Sequence, residues 1–334
     1  MRSLLLPSLP IAACVALVAC GAGPGPKKPM GQLPSATTTA QPEWLPFAIR
    51  AGSAAPVDER ERHLAGLRRL TDGWNVGAIA WSPDAVDIAI VAKAPGDAQS
   101  RLWIVPLVPG PPRRVSADGD DVLGLTATLS GAFRVVYWVE TRDGPTLREW
   151  TADAGPRPLA LTGIKARGAA LAPDGSALFL VGDTGSGRGV FETKGAEPRL
   201  LVADRGAGAG LVVSADRSYV AWPTDEGGKR RIVMASIEGR GSRTIYSGPA
   251  GASATGSLAF VAGTKRLLFA SDHDSAKREI YAADVTIADA PPERITFSQG
   301  ETPSAAPNGR LLAFTSTRGG ATRDLYVARW IDEP

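Results

Sequence analysis

A short unit recurs along this chain and constrains its fold more than any other feature. An apolar run leads into a turn with Pro-Asp or Pro-Asn, and an alternating apolar run follows. The clearest copies read "AWSPDAVDIAIV" at 80–91, "LAPDGSALFLV" at 171–181 and "AAPNGRLLAFT" at 305–315. Weaker copies without the proline surround Ser130, Asp216 and Gly263. Aligned on the turn, six units follow one another at a period of roughly 45 residues, which indicates a repeat architecture.

Each unit has the pattern of four short strands. After the turn and the alternating strand come a polar loop, a third strand such as Leu102 to Leu107, and a short fourth strand such as Arg113 to Ser116. β-branched and aromatic residues favour the strands, and Gly, Pro, Asn and Asp favour the turns between them. We therefore predict an all-β fold: a six-bladed β-propeller with four-stranded antiparallel blades and repeats from about 64 to 330.

The two ends of the repeat region indicate how the ring closes. The last unit ends at its third strand, Asp324 to Trp330, and an unassigned strand, Leu67 to Thr71, precedes the first unit. Pairing these two strands would complete the last blade and leave fewer exposed sheet edges. We therefore expect an N-terminal strand to close the propeller by pairing with the last blade.

The first residues predict export and a lipid anchor. Arg2 precedes an apolar run that is too short, and too broken by proline, to span a bilayer. The run ends in "LVAC", which resembles the lipobox of bacterial lipoproteins, whose cysteine is acylated after cleavage. The resemblance implies a lipoprotein signal peptide at 1–19 and lipidation of Cys20. Cys14 and Cys20 are the only cysteines, so the domain is expected to fold without disulfides.

The composition also divides the chain into domains. The stretch 20–45 is rich in Gly, Pro and Thr, which predicts a flexible tether that carries the lipidated Cys20. The remaining 46–334 is expected to form the propeller, as a monomeric domain. No Asp follows Cys20, and resemblance to the bacterial sorting pattern therefore favours the outer membrane of the cell envelope, facing the periplasm or the cell surface.

The repeats themselves resemble a known family. "RRLTDG" (68–73), "RLWIVPL" (101–107) and "PNGRLLAFTSTRGGATRDLYVAR" (307–329) are similar to the WD40-like PD40 repeats of TolB-type propellers. The resemblance covers about 64–330 and is strongest in units one, three and six. TolB itself carries an additional α/β domain, for which the residues before the repeats are too few. The resemblance implies a non-catalytic module that binds cell-envelope proteins.

The charged and nucleophilic residues favour binding over catalysis. Lys and Arg (37) and Asp and Glu (34) nearly balance and are interspersed, so no nucleic-acid partner is expected. His63 and His273 are the only histidines, and the nucleophile motif G-x-S-x-G does not occur. "SDHDS" (271–275) and "DGDD" (118–121) could offer metal ligands, but we interpret both as polar turns because neither has the spacing of an EF-hand loop. We therefore predict no enzyme, no metal site and no cofactor.

The expected binding surface is one end of the propeller. Connections between strands two and three, and between strand four and the next blade, gather at that end and vary most between units. The candidate binding residues there are Trp74, Asp120, Asp121, Arg188, Lys229, Arg230, Asp272, His273, Asp274 and Glu301. Two alternatives stay open: a propeller enzyme of the hydrolase, lactonase or lyase type with Ca²⁺ bound in its channel, and a propeller that binds carbohydrate or peptidoglycan.

Overall fold

The structure is a computed structural model and describes residues 51–195, 197–249 and 254–334, with the side chains of 254–256 excepted. The predicted signal peptide, the lipidation of Cys20 and the tether therefore lie outside the described residues. The described residues form strands and turns throughout, in six antiparallel sheets. Among the described residues, no helix is long and apolar enough to cross a membrane.

Each sheet is one blade, and the first strand of each blade is its inner one. Blades 1, 2 and 3 follow one another along the chain. Their strands are Asn75–Trp81, Asp87–Lys93, Arg101–Pro106 and Arg113–Arg114 in blade 1; Val122–Ala127, Arg134–Val139, Thr146–Thr151 and Gly155–Pro158 in blade 2; and Lys165–Leu171, Leu178–Thr184, Gly187–Thr193 and Arg199–Ala203 in blade 3.

Blades 4, 5 and 6 complete the ring. Their strands are Val212–Val213, Tyr219–Glu226, Lys229–Ser236 and Ser242–Ser247 in blade 4; Ala254–Phe260, Arg266–Ser271, Glu279–Asp284 and Glu293–Arg294 in blade 5; and Glu301–Ala305, Leu311–Ser316, Asp324–Trp330, Leu64–Arg69 and Ser53–Ala54 in blade 6. The predicted six-bladed fold with four-stranded antiparallel blades is confirmed, and blade 6 carries a fifth strand.

The repeated turn between strands one and two has the geometry that its residues favour. In blade 3, the Asp174 carboxylate accepts a hydrogen bond from the Ser176 N–H at 3.0 Å, and Gly175 has a φ of 72°. In blade 6, the Asn308 side chain accepts from the Arg310 N–H at 2.9 Å. A short polar side chain that bonds its own downstream backbone stabilises the bend. The motif is therefore architectural.

Apolar side chains from neighbouring blades form the core. Trp81 is 1% exposed, and its indole N–H donates to the Ser304 carbonyl oxygen in blade 6 at 2.8 Å. Around it, Ile88 and Ile90 of blade 1 pack in one cluster with Leu311 of blade 6. Each such buried side chain contributes about 1.5–3 kcal/mol relative to an exposed one. Trp81 therefore packs between blades 1 and 6.

An N-terminal strand completes blade 6. Leu64–Arg69 pairs antiparallel with Asp324–Trp330, with Leu64 opposite Trp330 and Arg69 opposite Tyr326. The sequence pattern had indicated a strand from Leu67 to Thr71; the observed strand begins three residues earlier and ends two earlier.

Buried polar groups secure this strand. Asp324, 1% exposed, accepts hydrogen bonds from the Arg69 guanidinium (2.6 Å), the Thr71 hydroxyl (2.9 Å) and the Trp74 N–H (2.9 Å). Upstream, Glu61 is 1% exposed, and its carboxylate accepts a hydrogen bond from each of the two terminal nitrogens of Arg318 at 2.9 Å. A buried carboxylate is stable only when it is paired in this way. The N-terminal segment is therefore attached to the ring by its side chains as well as by its backbone.

His63 makes a third attachment, between the N-terminal segment, blade 5 and the C-terminal residues. Its Nδ1 lies 2.6 Å from the Ile331 carbonyl oxygen and its Nε2 lies 2.7 Å from a Glu293 carboxylate oxygen. Both neighbours are acceptors, so only the doubly protonated ring donates to both. The ring also stacks on Trp330 with centroids 5.1 Å apart. His63 is thus a packing residue of the closure.

Candidate functional site

The antiparallel blades place two kinds of connection at opposite ends of the ring. The loops from strand two to strand three and from strand four to the next blade lie at one end, which we call the loop face. The turns from strand one to strand two and from strand three to strand four lie at the other end, the turn face. All ten candidate binding residues belong to the loop face, but they differ in their burial and in the contacts that they make within the molecule.

Trp74 packs against its own blade. The centroids of its ring system and that of Trp103 are 4.9 Å apart in an edge-to-face arrangement, and the side chain is half-buried against the core between blades 1 and 6. Its backbone N–H is the one that donates to Asp324. These internal contacts explain why a tryptophan is present at this position, so no binding partner is needed to account for it.

Asp120 and Asp121 order the loop between blades 1 and 2. Asp120 is 5% exposed and lies 3.0 Å from Arg148, and Asp121 accepts from the Ser100 N–H at 2.9 Å. Burial, with a smaller contribution from the Asp120 charge, raises the pKa of Tyr137 to about 12. Asp120 thus lies below the surface, where a partner does not reach its carboxylate, and we leave it out of the proposed binding surface.

The Asp272–Asp274 segment belongs to an aromatic cluster in blade 5. The His273 ring lies 4.3 Å from the ring centroid of Tyr281 and 5.7 Å from that of Tyr246. Asp274 accepts a hydrogen bond from the Tyr281 hydroxyl, and burial together with this bond raises the pKa of Tyr281. No group of three or more His, Cys, Asp or Glu side chains suited to a metal ion occurs in the described part of the chain.

Glu301 lies at the inner edge of blade 6. Its side chain is 13% exposed and lies 3.4 Å from Arg278 and 3.7 Å from Arg323. The Gln299 side-chain amide donates to it at 3.2 Å. Its charge is therefore largely matched within the molecule.

Arg188 and Arg230, in contrast, line an open cleft between blades 3 and 4. The cleft has a volume of about 730 Å³ and lies on the loop face. Four cationic and two anionic side chains line it: Lys165, Arg167, Arg188, Arg230, Asp183 and Asp225. We call it the basic cleft, because the cations exceed the carboxylates by two. Lys229 is exposed on the adjoining hairpin turn.

One carboxylate organises the arginines of the basic cleft. Asp183 accepts from the Nε of Arg167 at 2.5 Å and from the Nε of Arg188 at 2.8 Å. These two hydrogen bonds, that of Arg188 contributing most, hold the pKa of the Asp183 carboxyl below its usual range. On the opposite wall, Arg230 lies 3.6 Å from Asp225. Asp183 therefore stays ionised and holds two guanidinium groups side by side.

The floor of the basic cleft is a run of small residues, "GAGA", at 206–209. The Gly208 N–H donates to the Pro223 carbonyl oxygen at 2.8 Å, and the Asp225 N–H donates to the Gly206 carbonyl oxygen at 3.1 Å. A Cβ at Gly206 would overlap the Asp225 carbonyl oxygen. The run lies flat against blade 4 because it lacks larger side chains, and this leaves the space above it open.

A second cleft adjoins the first on the loop face. It has a volume of about 680 Å³, shares Pro145, Lys165 and Ala166 with the basic cleft, and is lined by half-buried Leu159, Leu161 and Ile164. We call it the apolar cleft. A ligand can therefore contact cationic and aliphatic surface without leaving this face.

Sequence reasoning found Arg188, Lys229 and Arg230 and missed Lys165 and Arg167. The first three lie at the tips of hairpins, where a loop is easily recognised. Lys165 and Arg167 lie at the start of an inner strand and join the site only through the position of blade 3 relative to blade 4. The available signal was the run "GAGAG" at 206–210, five consecutive residues with no side chain larger than a methyl group.

The turn-face part of the central channel offers little chemistry. Its cavity is about 130 Å³, and the described residues that line it are uncharged, for example Ala80, Ala170, Val212 and Ala259, with Thr126 and Ser304 as polar exceptions. A Ca²⁺ ion bound there would need several oxygen ligands, preferably carboxylates. The described lining does not fit the calcium-dependent alternative at this position.

Comparisons with known proteins bear on the fold. No protein-family model matches the sequence, and no curated protein matches it. Solved structures that match include a TolB from Agrobacterium tumefaciens (TM-score 0.54, 15% identity, 77% of this chain and 90% of that one). A TolB from Acinetobacter baumannii also matches (TM-score 0.53, 13% identity, 77% and 63%). So does an oligogalacturonate lyase in complex with manganese (TM-score 0.54, 14% identity, 84% and 98%).

These likenesses are of architecture, because identities of this size between propellers carry no information on ligand or reaction. They agree with the propeller fold described above. The chain is therefore a six-bladed β-propeller with a TolB-like fold.

Proposed function

We propose that this protein is a non-catalytic binding module of the bacterial cell envelope, which holds a protein partner on its loop face. The proposal includes the lipid anchor on Cys20 and the outer membrane as its location, both inferred from the N-terminal sequence. It treats the domain as monomeric, with cell-envelope proteins as partners.

The basic cleft carries this proposal. It combines an open volume, an excess of positive charge and guanidinium groups held in place by Asp183. Arginine in a fixed position is suited to binding carboxylates, because its planar group donates two parallel hydrogen bonds. The residues that line the cleft include no histidine, cysteine or serine that could serve as a base or a nucleophile. Such a surface favours binding over catalysis.

Charge reversal tests the proposal. The triple variant Arg188→Glu, Lys229→Glu, Arg230→Glu places negative charge on the loop face, and we expect it to recover at least tenfold less of the partners that wild type captures after cross-linking in whole cells. The control is Arg240→Glu, whose side chain is 85% exposed on the turn face. Equal recovery by wild type and the triple variant, with both folded, contradicts the proposal.

A further inference from the structure

We infer that the basic cleft and the apolar cleft form one groove for an extended peptide segment of the partner, in which carboxylate side chains lie next to an aliphatic residue. This inference rests on the proposed function and adds the chemistry of the ligand.

The charges favour an anionic ligand. Asp183 neutralises one of the two guanidinium groups it holds, and Asp225 lies beside Arg230 on the opposite wall of the cleft. Lys165 and one arginine charge are then unmatched among the residues that line the cleft. The Arg167 side chain is 52% exposed, so a partner can contact it. A partner's Asp or Glu side chains would supply the missing negative charge.

The shape favours a narrow, extended ligand. The floor at Gly206–Ala209 has no side chain larger than a methyl group, and the walls are the hairpins that carry Asp183 and Asp225. Beyond Pro145 and Lys165, the groove continues over Leu159, Leu161 and Ile164. Extended peptides present side chains alternately to two sides, so neighbouring residues can meet the cationic and the aliphatic walls.

The lining favours a peptide over an acidic sugar. Sugar-binding clefts commonly use aromatic faces on which the rings stack, but neither cleft has a Trp, Tyr or Phe among its lining residues. Leu159, Leu161 and Ile164 instead offer a half-buried aliphatic surface that suits a Leu, Ile or Val side chain. A uronate polymer would leave that surface uncovered.

Selection from a random peptide library on the full-length protein tests the inference. We expect the selected sequences to be enriched in Asp and Glu beside an aliphatic residue. For a synthetic peptide with the consensus, we expect the double variant Arg167→Gln, Arg188→Gln to bind at least tenfold more weakly, and Ile164→Ser to bind several-fold more weakly. Arg240→Gln on the turn face is the matched control and should bind as wild type does. Melting curves confirm that each variant is folded.

Several results would overturn the inference: selected peptides that are neutral or basic, no selected peptide, or unchanged binding by the folded double variant. Binding of oligogalacturonate that the double variant loses, without selection of acidic peptides, would assign the groove to a sugar instead. If the loop-face triple variant loses its cellular partners while the peptide test fails, the proposed function stands and this inference alone is wrong. If the triple variant retains those partners, both the proposed function and this inference are wrong.

Discussion

Gly309 and Gly263 occupy the same turn in blades 6 and 5, with φ values of 68° and 77°. Their surroundings differ. A Cβ at Gly309 would overlap the carbonyl oxygen of Ala262 in the neighbouring blade 5, whereas a Cβ at Gly263 would meet nothing within 4 Å. The two positions therefore separate the effect of backbone conformation from the effect of packing between blades.

Substitution by alanine measures that difference. Gly263→Ala should lower the free energy of unfolding by about 1 kcal/mol, because a residue with a Cβ is strained at positive φ. Gly309→Ala should cost about 1–3 kcal/mol more, because the turns of two blades must also move apart. Urea unfolding of both variants checks this. Equal losses would show that the turns do not press on each other.

Glu293 gives a prediction on pH. Burial alone would raise the pKa of its carboxyl, but hydrogen bonds from Arg266 and His63 outweigh burial and hold the pKa below its usual range. A carboxyl with a lowered pKa in the folded state stabilises the fold above its unfolded pKa of about 4.3. That stabilisation is lost as the pH falls through the folded-state pKa.

Glu293→Gln should therefore melt below wild type at pH 5.5, and the gap in melting temperature should shrink towards pH 3. Glu238→Gln, at a side chain that is 66% exposed, is the control and should show a much smaller gap at either pH. A gap that stays constant or widens as the pH falls would mean that the ionised Glu293 does not support the closure.

At the scale of residues, sequence reasoning separated loops from strands but not surface from interior. Asp120 and Glu301 stand in polar, glycine-containing stretches, as do Arg188 and Arg230. Only the fold shows that Asp120 is buried beside Arg148 whereas Arg188 faces an open cleft. Whether such a side chain is buried depends on the residue that it pairs with, and that residue comes from a distant strand or another blade.

The element on which the ring depends is the N-terminal strand Leu64–Arg69, and Asp324 is its main buried anchor. Asp174 makes a comparable contact with Arg217 at 3.0 Å, but Asp174 is 48% exposed whereas Asp324 is 1% exposed. Asp324 and Asp174 therefore allow a matched test of how much burial adds to the stabilisation by an ion pair.

Asp324→Asn should lower the free energy of unfolding by about 3 kcal/mol or more, because it breaks a buried ion pair and leaves Arg69 without its main partner. Asp174→Asn should cost less than about 1 kcal/mol, as is usual for an exposed pair. Denaturant unfolding of both variants decides the matter. A loss at Asp324 no larger than that at Asp174 would show that this carboxylate does not secure the closing strand.

At the scale of elements, the strand order was predictable because the turn recurs with its own local hydrogen bonds. The alternating run at the end of the stretch 80–91 forms the second strand of blade 1, which extends over Asp87–Lys93. The predicted bounds of the closing strand lay two to three residues too far along the chain. The contacts that hold this segment, made by Glu61, His63 and Arg318, join residues from opposite ends of the chain, so no local pattern reveals them. The two-residue strand Ser53–Ala54 had no detectable pattern at all.

At the scale of the whole molecule, the repeats are alike but the loop face is not. The connection into blade 4 contains "GAGAG", whereas the connections into blades 1 and 6 carry larger side chains that pack against their own blades, Trp74 and Gln299. The basic cleft lies where these side chains are missing. Function is thus expected in the feature that breaks the repeat.

Site-specific photo-cross-linking in whole cells tests the central claim most directly, that partners bind the loop face at this groove. A photoreactive amino acid would replace exposed Pro145, between the two clefts, or Val108, which is 44% exposed on the turn face. The account predicts a discrete cross-linked partner from position 145 that is absent at position 108 and is lost in the triple variant. Cross-links from position 108 alone, or equal cross-links from both positions, would contradict it.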